Sequence, residues 1–118
     1  MAYIDGFMAP VRADDRDTYV AWLKDQHAIF KEYGADVVVD AWEDDVPKGD
    51  VTSMRKAVAL EDGERVALGW IMWPDKSTRD AAWAKVMEDP RMSQDSAPMP
   101  FDGKRMIFGG FAPVLITD

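Results

Sequence analysis

The chain has 118 residues, a formal net charge of −8 and no cysteine. That length suits one domain over 1–118, the missing cysteine excludes disulfides and thiolate chemistry, and the acidic balance opposes binding to nucleic acid or anionic membranes, which relies on Lys and Arg. Apolar residues make up 47% of the chain, including five Trp, an ordinary globular composition; without a basic-then-apolar start or a stretch near the roughly 20 residues that span a bilayer, a cytosolic protein is expected.

Residues 3–8 read as a strand. From about Ala13 to Tyr33, Tyr19, Leu23, Gln26, His27, Phe30 and Tyr33 recur at helical spacing, with Trp22 beside them. Asp14, Asp15 and Asp17 near the start and Lys24, His27 and Lys31 toward the end suit the helix dipole, and Gly34 is placed to stop the helix. A second strand follows at 36–43, then a loop from Asp44 to Asp50 with Pro47 and Gly49. Met54 to Leu60 reads as a third strand. Glu61-Asp62-Gly63-Glu64 carries a hairpin signal, and Val66 to Trp73 is a fourth strand ended by Pro74. Ser77 and Asp80 have capping-box spacing; the helix they open runs to about Glu88, where Asp89-Pro90 closes it. Residues 93–103 read as a loop and Lys104 to Phe111 as the last strand.

The order is β-α-β-β-β-α-β, an α+β fold. With one strand removed it is the ferredoxin-like pattern, a sheet with two helices on one face. The extra strand would flip the last strand relative to the first unless the 44–53 connection compensates or one strand crosses to a partner.

The strands are apolar on both sides. Val66, Leu68, Trp70 and Met72 oppose Ala67, Gly69, Ile71 and Trp73. Two helices cover one face, and a sheet apolar on both faces must be covered on both. The bare face measures roughly 400 Å², and covering it gives on the order of 10 kcal/mol gross per subunit. A homodimer, sheet against sheet, is expected; the alternative is a monomer whose loops 44–53 and 93–103 fold over that face.

The segment Met99-Pro-Phe-Asp-Gly-Lys-Arg-Met-Ile-Phe-Gly-Gly-Phe111 resembles the C-terminal signature of the DUF1428, or YbaA-like, family. Tyr3-Ile-Asp-Gly-Phe7, Asp45-Val-Pro-Lys-Gly49 and Asp89-Pro-Arg-Met92 agree with it. The resemblance spans essentially the whole chain and implies the dimeric α+β-barrel fold, ferredoxin-like units paired through their sheets. It carries no catalytic residues to transfer.

Several residues could carry chemistry. His27 is the single histidine; it reads as a general base, as a haem ligand, which nothing else in the sequence supports, or as a helix-terminal or half-buried packing residue. Asp5 and Asp40 interrupt apolar strand faces, where a carboxylate must be paired or hydrogen-bonded. They read as acid–base groups in a cavity, as ion-pair partners of Arg55 or Arg105, or as carboxylates exposed near a strand end. Asp5 and His27 are the catalytic candidates. Asp40, Trp42, Arg55, Trp70 and Arg105 are the ligand-binding candidates, the tryptophans for a flat organic molecule and the arginines for an anionic group. Glu43, Asp44 and Asp45 could attract a hard cation but read as a solvated loop without EF-hand spacing. One His and no Cys disfavour zinc, so no metal or cofactor is expected. Gly109-Gly110 marks a bulge or a close strand approach. Lys104 to Phe111 lacks the RNP1 order of RNA-recognition domains. The leading function is a small-molecule site between sheet and helices, with or without catalysis. The alternatives are a non-catalytic protein-binding or stress-accessory dimer and, least favoured, RNA association.

Overall fold

The chain runs β1 (Tyr3–Arg12), α1 (Arg16–Glu32), β2 (Val37–Trp42), α2 (Met54–Ala57), β3 (Glu64–Trp73), α3 (Lys76–Glu88) and β4 (Ile107–Phe111) in a computed structural model that describes residues 1–93 and 98–117. Part of the expected 93–103 loop therefore lies outside the described residues. The four strands form one sheet in the order β2-β3-β1-β4, antiparallel at every pairing. The long β1 and β3 form its centre, paired from Tyr3 opposite Trp73 to Arg12 opposite Glu64. With the short α2 set aside, the succession is β-α-β-β-α-β, and the fold is α+β with helices packed on an antiparallel sheet.

The expected strand over 54–60 is corrected. Met54–Ala57 is a single helical turn. Ser53 caps it, accepting from the Lys56 backbone N–H at 3.0 Å, and Arg55 is drawn to Glu43 at 2.5 Å. A strand requires a neighbour's backbone groups, and β3 already pairs with β1 and β2 on its two edges. The removal of this strand also removes the parity problem.

Other boundaries follow local chemistry. Gly34 takes the left-handed conformation at φ 111°, and the Ala35 N–H returns to the Phe30 carbonyl at 3.0 Å, so α1 stops where expected. At the start of α3 the cap is Asp75, which accepts from the Thr78 N–H at 2.7 Å. Asp80, expected to act with Ser77, instead pairs with Lys76 and Arg79 on the helix surface. The last strand begins later than expected because Gly103–Arg105 forms a 3-10 turn capped by Asp102. Gly109 and Gly110 pair in continuous register with Gly6 and Asp5, so they form no bulge. A side chain on Gly110 would meet the Tyr3 hydroxyl at 2.4 Å and Arg79 at 2.9 Å, so the space its missing side chain leaves is filled by side chains rather than by a close approach of strands.

Alternation along the strands sorts the side chains. Ile71 and Trp73 of β3 join Ile29 and Phe30 of α1 and Ala82 and Val86 of α3 in one core cluster. Val11, Tyr19 and Ala67 form a second, with Trp22, Trp42 and Phe101 packed against it. Phe101 thus brings the segment before β4 to the helix side. On the opposite face Ile4, Met8, Val39, Leu68, Trp70 and Met72 remain only half-buried.

Candidate functional site

The sheet and both long helices line an open cavity of about 200 Å³. Its wall is mostly apolar, with Phe7, Phe30, Ile71 and Trp83 among the lining residues; Met92, Met99, Phe101 and Met106 come from the segments after α3 and before β4. The polar lining residues are Tyr19, Gln26 and His27 of α1 and Asp40 of β2.

The β-α-β crossover brings two of these together. His27 Nε2 lies 2.6 Å from Asp40 Oδ2, a bond between α1 and β2. The Asp40 side chain is only 7% exposed, whereas His27 keeps 34%. Burial pushes the Asp40 carboxyl above its ordinary value, and the His27 contact pulls it partly back. Asp40 Oδ1 is buried and has no hydrogen-bond partner among the described residues, an arrangement that is unfavourable unless a ligand or a proton satisfies it.

Gly69 makes this position available. It lies across from Asp40 on β2 and across from Phe7 on β1. A Cβ at Gly69 would stand 2.4 Å from Asp40 Oδ1 and 2.3 Å from the Phe7 ring. The missing side chain is the space that the carboxyl and the ring occupy.

Tyr19 lines the cavity together with His27 and Asp40 and is buried. Burial, and then the nearby Asp40 carboxylate, push its phenol far above the usual tyrosine range, so it stays protonated. Aromatic contacts hold it: Trp22 stacks at 6.1 Å, and Phe101 meets it edge-on at 5.8 Å. A smaller groove of about 120 Å³ lies beside the cavity and shares Tyr19, Leu23 and Asp40 with it. There the Arg16 guanidinium stands 5.8 Å from the Trp42 ring centroid.

The other candidates sit elsewhere. Asp5 is buried among α3 side chains. It accepts from the indole N–H groups of Trp73 at 2.9 Å and Trp83 at 2.8 Å, and it pairs with Arg79 at 2.7 Å. The expected partners were Arg55 or Arg105; Arg79 takes that place because α3 crosses directly over β1 there. Arg55 pairs with Glu43. Burial raises the Glu43 carboxyl, but the Val66 N–H and Arg55 outweigh this and hold it below its ordinary value. Arg105 forks onto Glu64 at 2.7 Å through two nitrogens and also binds Asp102. Trp70 lies on the opposite face of the sheet. Of these candidates, the geometry therefore joins His27 with Asp40 and brings Trp42 near them. It adds Tyr19 and Gln26, which sequence reasoning had placed only in the packing stripe of α1. Among the described residues no three His, Cys, Asp or Glu side chains gather as a metal site.

Comparison with known proteins adds a family. The model of a protein family of unknown function, DUF1428, matches residues 2–103. The chain is 48% identical over 115 residues to "Uncharacterized protein YbaA" of Escherichia coli K12, covering 98% of both chains. The YbaA of Shigella flexneri matches with the same identity and coverage. No helix among the described residues is long and apolar enough to cross a membrane. With a family match across most of its length and relatives covered end to end, the chain belongs to the DUF1428 family.

Proposed function

We propose that this protein binds a small, flat, mostly apolar organic molecule in the cavity and exchanges a proton with it through His27 and Asp40. The observation that carries this reading is a buried carboxyl that, among the described residues, bonds to a part-exposed histidine through one oxygen and has no partner on the other, in a mostly apolar chamber. Structural buried carboxyls are satisfied on both oxygens, as Asp5 is in this same chain. Asp40 holds the imidazole of His27 in one orientation. His27 moves the proton, and Tyr19, kept neutral, donates a hydrogen bond to an oxygen of the ligand. The volume lies below the roughly 300–1,000 Å³ of common ligand pockets, which favours a compact molecule.

The test is a panel of bicyclic aromatic alcohols and ketones, titrated while the His27 imidazole is followed by NMR. Saturable shifts that Asp40→Asn weakens are expected. A panel that leaves His27 untouched overturns the reading.

The same reading holds the protein to be a cytosolic homodimer paired through its sheets. Support comes from the half-buried apolar face formed by Ile4, Met8, Val39, Leu68, Trp70 and Met72, because soluble monomers seldom leave such patches bare. The absence of cysteine sets no demand for an oxidising compartment.

A further inference from the structure

Among the described residues the buried polar or charged side chains are Asp5, Gln26 and Glu64. Two of them are fully engaged. Asp5 holds two indoles and Arg79, and Glu64 holds Arg105 through both oxygens. Gln26 is different: it is 5% exposed, and its carboxamide makes no hydrogen bond to any described residue. It lines the cavity, two turns of α1 after Tyr19 and beside His27, which line it too. An apolar side chain would fill this buried helix position with nothing to satisfy. A carboxamide kept there calls for a partner to its N–H and to its C=O.

We infer that Gln26 selects the ligand, and that the cavity takes a compact bicyclic lactam whose ring N–H and C=O pair edge to edge with the Gln26 carboxamide. The inference rests on the small-molecule site proposed above. A lactam holds its amide cis within the ring, so its donor and acceptor point the same way. The Gln26 carboxamide presents the complementary acceptor and donor, and one planar contact satisfies both. An alcohol meets one end of the carboxamide well, and a ketone only the donor end, so each leaves a buried group unpaired. An ionised carboxylic acid offers no donor and faces the Asp40 carboxyl, with no Lys or Arg among the described residues that line the cavity. An amine brings no acceptor. The flat apolar body of the lactam suits the rings of Phe7, Phe30 and Trp83 in the wall. The second lone pair of its oxygen remains for the Tyr19 hydroxyl, and Asp40 and His27 are left for the proton exchange.

Carbostyril and β-naphthol share one bicyclic outline; carbostyril carries a ring N–H and a C=O where β-naphthol carries a C–H and a hydroxyl. Each is titrated into the full-length protein while the His27 imidazole is followed by NMR. The wild type should bind carbostyril roughly tenfold or more tightly than β-naphthol. Gln26→Leu should lose that preference, still bind β-naphthol, and melt no lower than the wild type, because it removes a buried group that the free protein leaves unsatisfied. Gln26→Met, closer in length, gives the same reading if the branched side chain disturbs the packing. A wild type that binds the two probes equally or prefers β-naphthol, or a preference for carbostyril that survives in a folded variant, overturns the role of Gln26 and leaves the small-molecule site standing. A lower melting temperature in both variants shows that the carboxamide is already bonded in the free protein, and overturns the role as well. If neither these probes nor any bicyclic alcohol or ketone shifts His27, the inference and the site fall together.

Discussion

Replacement of Asp5 by Ala removes the acceptor for three donors at once. Trp73 and Trp83 each lose an indole hydrogen bond, and Arg79 loses a two-pronged ion pair. Trp73 is fully buried, so its N–H cannot turn to water; an orphaned buried donor costs about 1–3 kcal/mol. Trp83 is half-buried, and Arg79 keeps 24% of its side chain exposed, so solvent returns part of their loss. The net is about 3 kcal/mol, at the lower edge of the 3–5 kcal/mol typical when one partner of a buried pair is removed. At about 4 °C per kcal/mol, the melting temperature falls by about 12 °C. Asp5→Asn keeps the volume and one carbonyl acceptor, and loses about half as much. Thermal and urea unfolding measure both variants. At temperatures where they remain folded, both should bind a cavity ligand as the wild type does, because Asp5 faces α3 and is not part of the cavity wall. A variant as stable as wild type that has lost ligand affinity would refute this reasoning and place Asp5 in the site.

Three further outcomes follow from the geometry. Gly69→Ala should destabilise by about 1–3 kcal/mol through overpacking and should shift the His27 imidazole signals, because the new methyl displaces Phe7 and the Asp40 carboxyl; unchanged unfolding and NMR spectra would contradict it. The folded-state pKa of Asp40 lies above its ordinary 3.8, so the folded state binds this proton more tightly than the unfolded state. The stability it contributes is complete below pH 3.8 and is lost as pH rises through the raised value. The stability of Asp40→Asn relative to wild type should therefore increase over that rise, as measured by urea unfolding at several pH values; a constant difference would argue against it. Glu64 shows the opposite sign: Arg105 holds its carboxyl below 4.5, so their pairing stabilises above that pH and fades as pH falls through the depressed value. The destabilisation caused by Arg105→Gln should shrink on acidification, read by the same titration.

What could be seen in the sequence was whatever local chemistry decides. Gly34 and the Asp89-Pro90 pair ended their helices as their backbone preferences require, and apolar runs marked the four strands of the sheet. Residues 54–60 were misread because their residue types suit either structure, and the outcome depended on Ser53 as a cap and on β3 having no edge left to offer. Asp5 and Asp40 were visible as polar breaks in apolar strands, but their partners were not. Arg79 lies 74 positions from Asp5, and only the path of α3 over β1 brings them together. His27 and Asp40 are 13 apart, and their meeting depends on the length of α1 and its crossover into β2. Gly69 shows this dependence most clearly. In sequence it is one more small strand residue; only the register that sets it beside both Phe7 and Asp40 reveals that its missing side chain shapes the cavity.

Because His27 is the single histidine of the chain, its imidazole nitrogens give one unambiguous set of NMR signals. Their response to Asp40→Asn and to a bicyclic probe is the most direct measurement of the acid–base site. The Nε2 resonance should move when Asp40 is replaced, and in the wild type it should move again, saturably, as the probe fills the cavity. A His27 spectrum that ignores both the substitution and the probe would show that the two side chains are not coupled and that the chamber binds no ligand of this class.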